Sequence, residues 1–373
     1  MFVRVPKPIA DQSWVAIFTV TALALIGAVA MYSVAGASLS PWAMNHMVRF
    51  ALFLALAIGI SYIPVSLYKP LAYPALGLSL LLLIGVLALG AIKGGARSWL
   101  DLGFIQLQPS EFVRISLICV LARYFERLPP VDTNGWNAVW PPLLMTGVPF
   151  LLISAQPDLG TGMLLLLSAI MLCFFAGLPM KWFLGAGATV MAVLPLIFTF
   201  LMQPHQQRRV TIFLNPQDDP LGAGYHISQS LIALGSGGIF GKGFLQGTQS
   251  HLNYLPENHT DFIYSAIVEE WGLVGGVVVI GLFALLIRWG TKVANRAHSR
   301  FEKLFAAGLT CSLFLYISIN LMMVVGLAPV VGIPLPLVSY GGSAMLAAMI
   351  TIGAIMGIDR ENRKSSRDYS YYR

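Results

Sequence analysis

Apolar residues occur in long runs separated by short polar connections, and this pattern extends over the whole chain. A helix needs about 20 apolar residues to cross a hydrocarbon core of about 30 Å. Ten runs reach or approach that length: Trp14–Val34, His46–Val65, Leu71–Ile92, Ser110–Tyr124, Trp140–Ala155, Leu159–Leu178, Trp182–Met202, Phe262–Leu286, Leu304–Val325 and Pro336–Ile358. The fourth and fifth runs are the shortest. We therefore predict an all-α integral membrane protein with about ten transmembrane helices.

Composition agrees with this fold class. Of the 373 residues, 57% are hydrophobic and only 10% are charged, and the mean hydropathy is +0.75. A soluble domain carries roughly a quarter charged residues. The cysteines Cys119, Cys173 and Cys311 all lie inside apolar runs. Their positions give neither a disulfide framework nor a metal-ligand spacing, so we interpret them as packing residues.

The distribution of basic residues predicts the orientation. Most of the 23 Lys and Arg residues fall in alternate connections and in the C-terminal segment, and cytoplasmic loops are enriched in these residues. We expect one polytopic membrane domain over 1–373 with both termini in the cytoplasm. Within it, 203–261 is an extracytoplasmic loop between spans 7 and 8, and 359–373 is a charged, disordered cytoplasmic tail. The net charge of +7 then reflects topology and does not indicate nucleic-acid binding.

Polar residues on the predicted outer side depart from this trend. Basic residues, carboxylates and histidines occur there together: Arg49, Lys93, Arg97, Arg114, Arg208, Arg209, Lys242, Asp101, Glu111, Asp158, Asp218, Asp219, Glu257, Asp261, His46, His205, His226, His251 and His259. Ionisable residues at membrane depth are costly and usually functional. The pattern therefore predicts a polar site at the outer face.

Local spacing leaves alternatives open for several of these residues. Glu111 and Arg114 share a helical face, either as an ion pair or with Glu111 orienting Arg114 toward an anionic ligand. Asp261 is either a site residue or an acidic residue at a helix start. For Asp158 we favour a helix N-cap. For His259 we favour a surface histidine, because it lies two residues from Asp261 and cannot share its helical face.

The glycine-rich stretch Gly235–Gly243 superficially resembles a phosphate-binding loop. Ser236 stands where the first glycine of that motif is required, and Gly243 follows Lys242 in place of Ser or Thr. The stretch also lies on the predicted outer side, away from ATP. We reject a nucleotide site here, while contact of its backbone N–H groups with a phosphate stays open.

Several motifs follow one another in a fixed order. They are Gly95-Ala-Arg97-Ser-Trp99-Leu, Gln108-Pro-Ser-Glu111, Gln156-Pro-Asp158-Leu-Gly, Asp219-Pro-Leu-Gly-Ala-Gly-Tyr225, Gly247-Thr-Gln-Ser250, Leu255-Pro-Glu-Asn-His-Thr-Asp261, Gly326-Leu-Ala-Pro329 and Leu337-Val-Ser339-Tyr-Gly341-Gly342-Ser343-Ala344. Together they span nearly the whole chain. The sequence resembles the SEDS family of cell-wall glycosyltransferases, and within it the RodA branch.

The resemblance implies a peptidoglycan glycosyltransferase that polymerises lipid II into β-1,4-linked strands for cell elongation and rod shape. Such an enzyme works at the outer face of the bacterial cytoplasmic (inner) membrane. Asp261 matches the family's catalytic aspartate and is the expected general base of an inverting transfer, with undecaprenyl pyrophosphate as leaving group. The expected substrate-binding residues are Arg49, Arg97, Trp99, Gln108, Glu111, Arg114, Asp158, Lys242, His259, Ser339 and Ser343.

Among these residues, Arg49, Arg97, Arg114 and Lys242 are the candidates for the pyrophosphate. The family often has lysine where Arg114 stands, which makes a proton-donor role less expected. Expected partners are lipid II, membrane lipid, a class B penicillin-binding protein (a transpeptidase) and elongation-complex proteins, without nucleic acid. No metal-ligand spacing is evident, and a divalent cation such as Mg²⁺ or Mn²⁺ is a hypothesis only.

Two other functions compete with this interpretation. A lipid II flippase would place polar residues along a path through both leaflets, whereas the inner halves of the predicted spans are nearly free of charge. A non-catalytic scaffold would need no polar cluster on the outer side. We therefore favour the enzyme over the flippase, and the flippase over the scaffold.

Overall fold

A computed structural model describes residues 11–93, 96–101, 106–202, 204–215, 223–252, 254 and 257–371 of the chain. Its first seven long helices are α1 (Trp14–Val34), α2 (Trp42–Ile60), α3 (Val65–Leu89), α4 (Pro109–Arg127), α5 (Trp140–Ala155), α6 (Leu159–Phe175) and α7 (Met180–Leu196), which ends in a π-helical turn at Ile197–Leu201. The remaining helices are α8 (Pro204–Leu214), α9 (Ala223–Ser236), α10 (Thr248–His251), α11 (Ile263–Arg296), α12 (Arg300–Val324) and α13 (Gly342–Tyr371).

A helix lies at each of the ten predicted spans. Within the described ranges, eight helices are long and apolar enough to cross a membrane. The fifth predicted span is counted from Trp136 to Ala155, because a short helical turn leads into α5. The exceptions are α6, which has only 17 residues, and α4, which carries several charged residues. The fold class is confirmed, while the number of membrane crossings and the side of each loop stay predictions.

Helix α4 can carry several charged residues because protein surrounds it. It is buried along most of its length and packs against α3, α6 and α12. Its charged side chains pair within the protein, as Arg114 does with Glu111 and Arg123 with Glu126. A central helix that does not face lipid can carry polar residues, provided that they have partners.

A three-stranded antiparallel sheet connects α3 to α4, which the hydropathy pattern did not predict. Its strands are β1 (Ala91–Lys93), β2 (Ala96–Asp101) and β3 (Gln106–Leu107), in the order β1-β2-β3. Ala91 pairs with Trp99 and Ile92 with Arg97. The sheet packs against α3 and α4, so the motif that contains Arg97 and Trp99 has a fixed backbone.

The predicted outer loop, residues 203–261, contains α8, α9 and α10. Helix α9 packs against α11 and α12, where Ser230 donates to the Val324 carbonyl at 2.7 Å and lies 2.7 Å from the Ser265 hydroxyl. Much of this segment is therefore ordered protein structure.

Helix α11 is broken at Gly272, and the glycine-rich stretch 237–243 inserts into the break. Gly272 has a φ of 69° and a ψ of −166°. Four backbone hydrogen bonds cross the junction, from Lys242 N and Gly243 N to the carbonyls of Glu269 and Glu270, and from Leu273 N and Val274 N to the carbonyls of Gly238 and Ile239. A broken helix at membrane depth is tolerated when protein satisfies its backbone groups in this way.

Glycine is required in the inserted stretch, at Gly237 and Gly241, and in the helix, at Gly272. A Cβ at Gly237 would collide with the Val268 carbonyl, and one at Gly241 with the Glu270 carbonyl. In the structure these glycines allow two backbones to approach closely.

The C-terminal segment differs from the disordered tail that we expected. Helix α13 continues to Tyr371, and Asp359 near its middle accepts from Ser13 Oγ at 2.5 Å and from Arg363 Nη2 at 2.5 Å. Arg363 also donates to the carbonyl of Gln12 at 3.3 Å. These contacts attach the start of α1 to α13. The cytoplasmic location of 359–373 stays a prediction.

We expect Gly241→Ala to destabilise the protein strongly. Gly241 has a φ of +83°, so the strained backbone alone costs about 1–3 kcal/mol, and the collision with Glu270 adds to this. The measurement is the thermal unfolding midpoint in detergent. Gly281→Ala in α11 is the matched control, because a Cβ there meets no atom of the described residues within 4 Å. Equal midpoints for the two variants would contradict the proposed close approach.

Candidate active site at the start of α11

Asp261 lies in the turn that precedes α11. The N-cap of this helix is Phe262, so Asp261 directly precedes the cap and lies at the helix start, as one of the two alternatives states. Asn320 Nδ2 donates to the Asp261 carbonyl at 3.0 Å and to the Ile333 carbonyl at 2.7 Å. A Cβ on Gly332 would lie 3.6 Å from Asp261 Oδ2. The aspartate is therefore held by its backbone, and its half-exposed side chain faces the Gly332 segment.

Glu111 and Arg114 form a buried ion pair, which was one of the two alternatives. Arg114 Nη2 lies 2.7 Å from Glu111 Oε2, and the two residues are 5% and 2% exposed. Arg114 Nε and Nη1 are buried and have no hydrogen-bond partner among the described residues. A guanidinium has five N–H donors, so this one keeps unused donors for an anion, as the second alternative requires. The two alternatives are compatible.

Tyr316 of α12 connects this ion pair to Asp261. The Arg114 guanidinium carbon lies 4.7 Å from the centre of the Tyr316 ring. Tyr316 is also close enough to Glu111 and to Asp261 for electrostatic interactions with both carboxylates. The ring also packs with Ile333, the residue after Gly332. Residues from α4, α12 and the turn before α11 thus meet in one cluster.

A group of aromatic rings packs around His259, two residues before Asp261 in the sequence. The rings of Trp42 and His259 are 4.2 Å apart and nearly parallel, and Tyr340 lies 6.2 Å from His259. The Arg49 guanidinium carbon lies 4.9 Å from the Tyr340 ring centre. The Tyr340 N–H donates to the His259 carbonyl at 2.9 Å. His259 is therefore a packed, half-buried residue, and our interpretation as a plain surface histidine was too simple.

Burial affects the protonation of His259, which lies outside the membrane-spanning helices. Burial lowers the pKa of this imidazole below its usual value, and the negative charge of Glu257 partly offsets the effect. The neutral ring is therefore the form that the folded protein favours.

Four further predicted residues support the backbone around the site. Asp158 accepts from Thr161 N at 3.2 Å as the N-cap of α6, and Gln108 Nε2 donates to Asp158 at 2.9 Å. Ser343 Oγ accepts from Gln108 N at 3.0 Å, and Ser339 Oγ accepts from Leu335 N at 2.8 Å. These contacts bring together the starts of α4, α6 and α13. The cap at Asp158 is confirmed, and the role of these four residues in substrate binding stays a prediction.

Lys242 is held in a different cluster. Its ammonium lies 2.7 Å from Glu269 Oε1 and 2.7 Å from Thr248 Oγ1. The Gln249 N–H donates to the same Glu269 oxygen at 3.0 Å. These contacts hold the inserted glycine stretch in place. They do not test whether Lys242 binds pyrophosphate, so that role stays a prediction. Arg97 and Trp99 lie on β2, and the side chain of Arg97 lies outside the described residues.

The sequence pattern assigned no role to several residues of this site. Tyr340 and Asn320 lie within or beside the C-terminal motif, so a signal was present for them. Trp42 and Tyr316 carry no such signal, because each comes from an apolar helix. Among the described residues no group of three or more His, Cys, Asp or Glu could hold a metal ion.

We expect Asp158→Ala to lower the free energy of unfolding by about 1 kcal/mol, the usual effect of losing an N-cap. Asp158→Asn is the matched control, because an amide oxygen still accepts the Thr161 N–H. Thermal unfolding midpoints should fall in the order wild type, Asn, Ala. An unchanged midpoint for Asp158→Ala would contradict the structural role.

Stability should fall at acidic pH through His259. Its pKa is lower in the folded than in the unfolded chain, so the unfolded state binds more protons between the two values. The stabilisation linked to His259 is complete above the unfolded-state pKa of about 6.5, and it is lost as the pH falls below that pKa. We expect His259→Phe, which keeps the ring stack, to show a smaller drop in unfolding midpoint between about pH 7.5 and pH 5.5. Parallel curves for the two proteins would contradict this.

Comparison with known proteins identifies the family of this chain. The FtsW/RodA/SpoVE family model, described as cell cycle protein, matches residues 13–364. The Escherichia coli K12 peptidoglycan glycosyltransferase MrdB is 44% identical over 321 residues, which cover 86% of each chain. The Treponema pallidum peptidoglycan glycosyltransferase RodA is 30% identical over 95% of this chain and 98% of its own.

Solved structures are similar over nearly the whole length. The crystal structure of the Thermus thermophilus rod shape determining protein RodA superposes with a TM-score of 0.70, at 30% identity, over 94% of this chain and 97% of that one. A chain from a structure on the coordination of polymerization and crosslinking by a peptidoglycan synthase complex gives a TM-score of 0.81 at 34% identity, over 94% and 98%. The chain therefore belongs to the FtsW/RodA/SpoVE family and is a multi-pass membrane enzyme of the peptidoglycan glycosyltransferase class.

Proposed function

We propose that this enzyme polymerises lipid II into β-1,4-linked glycan strands at the outer face of the bacterial cytoplasmic membrane. One observation carries the proposal: Tyr316 packs on the buried Arg114, which has N–H donors that the described residues do not use, and interacts electrostatically with the half-buried Asp261. A base and a cation placed together are what transfer of a sugar from a pyrophosphate requires. The similarity to peptidoglycan glycosyltransferases supports this substrate class.

Asp261 is the proposed general base. The 4-hydroxyl oxygen of the acceptor GlcNAc attacks the anomeric carbon of the donor and gives its proton to the carboxylate. The new glycosidic bond forms as the bond from that carbon to the pyrophosphate oxygen breaks, and undecaprenyl pyrophosphate leaves. A single displacement inverts an α-linked donor to a β product, without a covalent sugar–enzyme intermediate.

Arginines are the proposed partners of the leaving group. Negative charge develops on the pyrophosphate as the bond breaks, and donors fixed in a buried site stabilise it better than water does. The unused donors of Arg114 suit phosphate oxygens. Arg49 is the second candidate, because Gly342 leaves room beside its Nη1, where a Cβ would lie at only 3.3 Å. Arg97 and Lys242 are retained as candidates without a described contact to this cluster.

A divalent cation such as Mg²⁺ or Mn²⁺ is a separate proposal. Mg²⁺ is commonly bound by one or two carboxylates together with substrate phosphates. Among the described residues no cluster of three or more side chains could bind a metal ion by itself. The proposed ligands are therefore the Asp261 carboxylate and the pyrophosphate of the donor. No step of the mechanism above depends on this ion.

A class B penicillin-binding protein is the proposed partner, together with other elongation-complex proteins. The support is the similarity to a chain from a peptidoglycan synthase complex in which polymerization and crosslinking are coordinated. A transpeptidase held beside the polymerase would crosslink strands as they emerge. Membrane lipid surrounds both proteins.

We expect Asp261→Asn to abolish polymer formation from labelled lipid II, measured on gels with a class B transpeptidase present, while the unfolding midpoint stays unchanged. The amide keeps the shape of the side chain and removes the base. Glu257→Gln is the matched control, because it makes the same change four residues away on an exposed side chain that contacts Thr260. Polymer at the wild-type rate from Asp261→Asn would remove Asp261 from the mechanism.

Two further arms complete this experiment. Addition of a chelator, followed by Mg²⁺ or Mn²⁺, tests the divalent cation, and full activity in the chelator would contradict it. If the wild-type protein forms no polymer but moves lipid II across vesicle membranes, the flippase replaces the enzyme proposed here.

A further inference from the structure

A groove runs along the contact between α11 and α12, and none of the described site residues lines it. Its larger part is a cavity of about 650 Å³, to which Met171 and Phe175 of α6 also contribute. A second cavity of about 440 Å³ lies beside α11 and α12 and shares Ile287, Thr291 and Phe314 with the first. The two cavities are therefore parts of one groove.

The polarity of the lining changes along this groove. Residues 297–299 join the two helices, so the lining residues nearest to them mark one end. At that end lie four polar or charged lining residues: Thr291, Asn295, Arg300 and Lys303. Farther along both helices the lining is mainly apolar and includes Ile287, Ala307 and Phe314. A basic end followed by an apolar length matches the polarity of an anionic phospholipid.

The basic end of the groove carries charges that no carboxylate neutralises within the described part of the chain. Arg300 donates to the carbonyls of Leu128 and Ala176, at 2.6 Å and 3.2 Å, and both acceptors are uncharged. Lys303 is exposed. The neighbouring Glu302 belongs to the capping box at the start of α12. An anionic group at this end would therefore meet two positive charges.

We propose that this groove binds an anionic phospholipid of the surrounding membrane, with the lipid phosphate at Lys303 and Arg300 and an acyl chain along the apolar part. Basic pockets between transmembrane helices bind anionic lipid headgroups in other membrane proteins. The larger cavity lies within the range of about 300–1,000 Å³ that is usual for ligand sites. The distribution of basic residues predicts that this end faces the cytoplasmic leaflet, which contains anionic lipids.

Two other occupants of the groove match its charges less well. A zwitterionic phospholipid carries its own ammonium group beside the phosphate, which weakens its attraction to Lys303 and Arg300. A transmembrane helix of another protein would fill the apolar part, but it would need an acidic residue at the level of Lys303, and acidic residues are rare in transmembrane segments. The anionic lipid matches both the charge and the apolar length.

The first test changes the charge at the basic end. Phosphatidylglycerol is titrated against the purified full-length protein in detergent, and bound lipid is counted by native mass spectrometry. We expect Lys303→Gln to lower the affinity by about 5-fold, the effect of one basic residue on an anionic lipid. Lys292→Gln is the matched control, because Lys292 is an exposed lysine on α11 that lines neither cavity. It should leave the affinity unchanged, and phosphatidylcholine should bind more weakly than phosphatidylglycerol.

The second test fills the apolar part of the groove. Ala307→Phe places a ring where the acyl chain would lie, so we expect it to remove the saturable binding of phosphatidylglycerol. Ala186→Phe is its control, because Ala186 is an exposed residue of α7 outside both cavities. Unfolding midpoints show whether each variant is folded. Lys303→Gln changes only an exposed side chain, so it tests the proposal even if Ala307→Phe does not fold.

Several results would overturn the lipid site. Equal losses for Lys303→Gln and Lys292→Gln would indicate general attraction to a basic surface, and equal binding of phosphatidylcholine would exclude selection for an anionic headgroup. Unchanged lipid binding by folded Ala307→Phe would place the lipid elsewhere. Loss of a copurifying membrane protein from Ala307→Phe, with bound lipid unchanged, would assign the groove to that protein. These measurements do not involve glycan polymerisation, so they are independent of the reaction proposed at Asp261.

Discussion

A backbone or charged group inside a bilayer must find its partner within the protein, because the hydrocarbon core offers no water. The break in α11 at Gly272 is the clearest case here. Four backbone hydrogen bonds with the stretch 237–243 satisfy the groups that the break exposes. Lys242 and Glu269 join the same junction through their side chains at 2.7 Å. The start of α11, and with it the turn that contains Asp261, depends on this junction for its position.

The same constraint shapes the candidate site. Each buried charge there has a protein partner, as Arg114 has Glu111, yet Arg114 retains donors that nothing in the described part of the chain uses. Removing one member of a buried pair costs about 3–5 kcal/mol, so these residues support the fold whatever their part in the chemistry. Asp261 differs from them in being half-exposed and held through its carbonyl by Asn320. A fixed backbone with an accessible side chain is the arrangement that a general base needs.

Hydropathy predicted most of the fold because each span must match the thickness of the bilayer. The first span, Trp14–Val34, was predicted with the bounds that the structure has. The sheet from Ala91 to Leu107 was missed because its strands are short. Helix α13 continues beyond the predicted end of the span, where Asp359 and Arg363 contact Ser13 and the Gln12 carbonyl, and hydropathy does not predict such polar contacts.

The site was predictable only where local spacing determines it. The Glu111–Arg114 pair and the Asp158 cap depend on residues three positions apart, and the structure contains both. Contacts between different helices cannot be recognised from the spacing of residues in the sequence. Tyr316 lies close to Glu111, although the two residues are far apart in the sequence. The need for glycine at 237–243 is evident only from the close approach of this stretch to Gly272.

The junction at Gly272 also has a consequence for how the protein is made. Chains emerge from the ribosome N-terminus first, so the glycine stretch is synthesised before the helix into which it inserts. Until residues 269–274 follow, its carbonyl and N–H groups lack their final partners. The first part of α11 and this stretch can therefore reach their final contacts only after both have been synthesised.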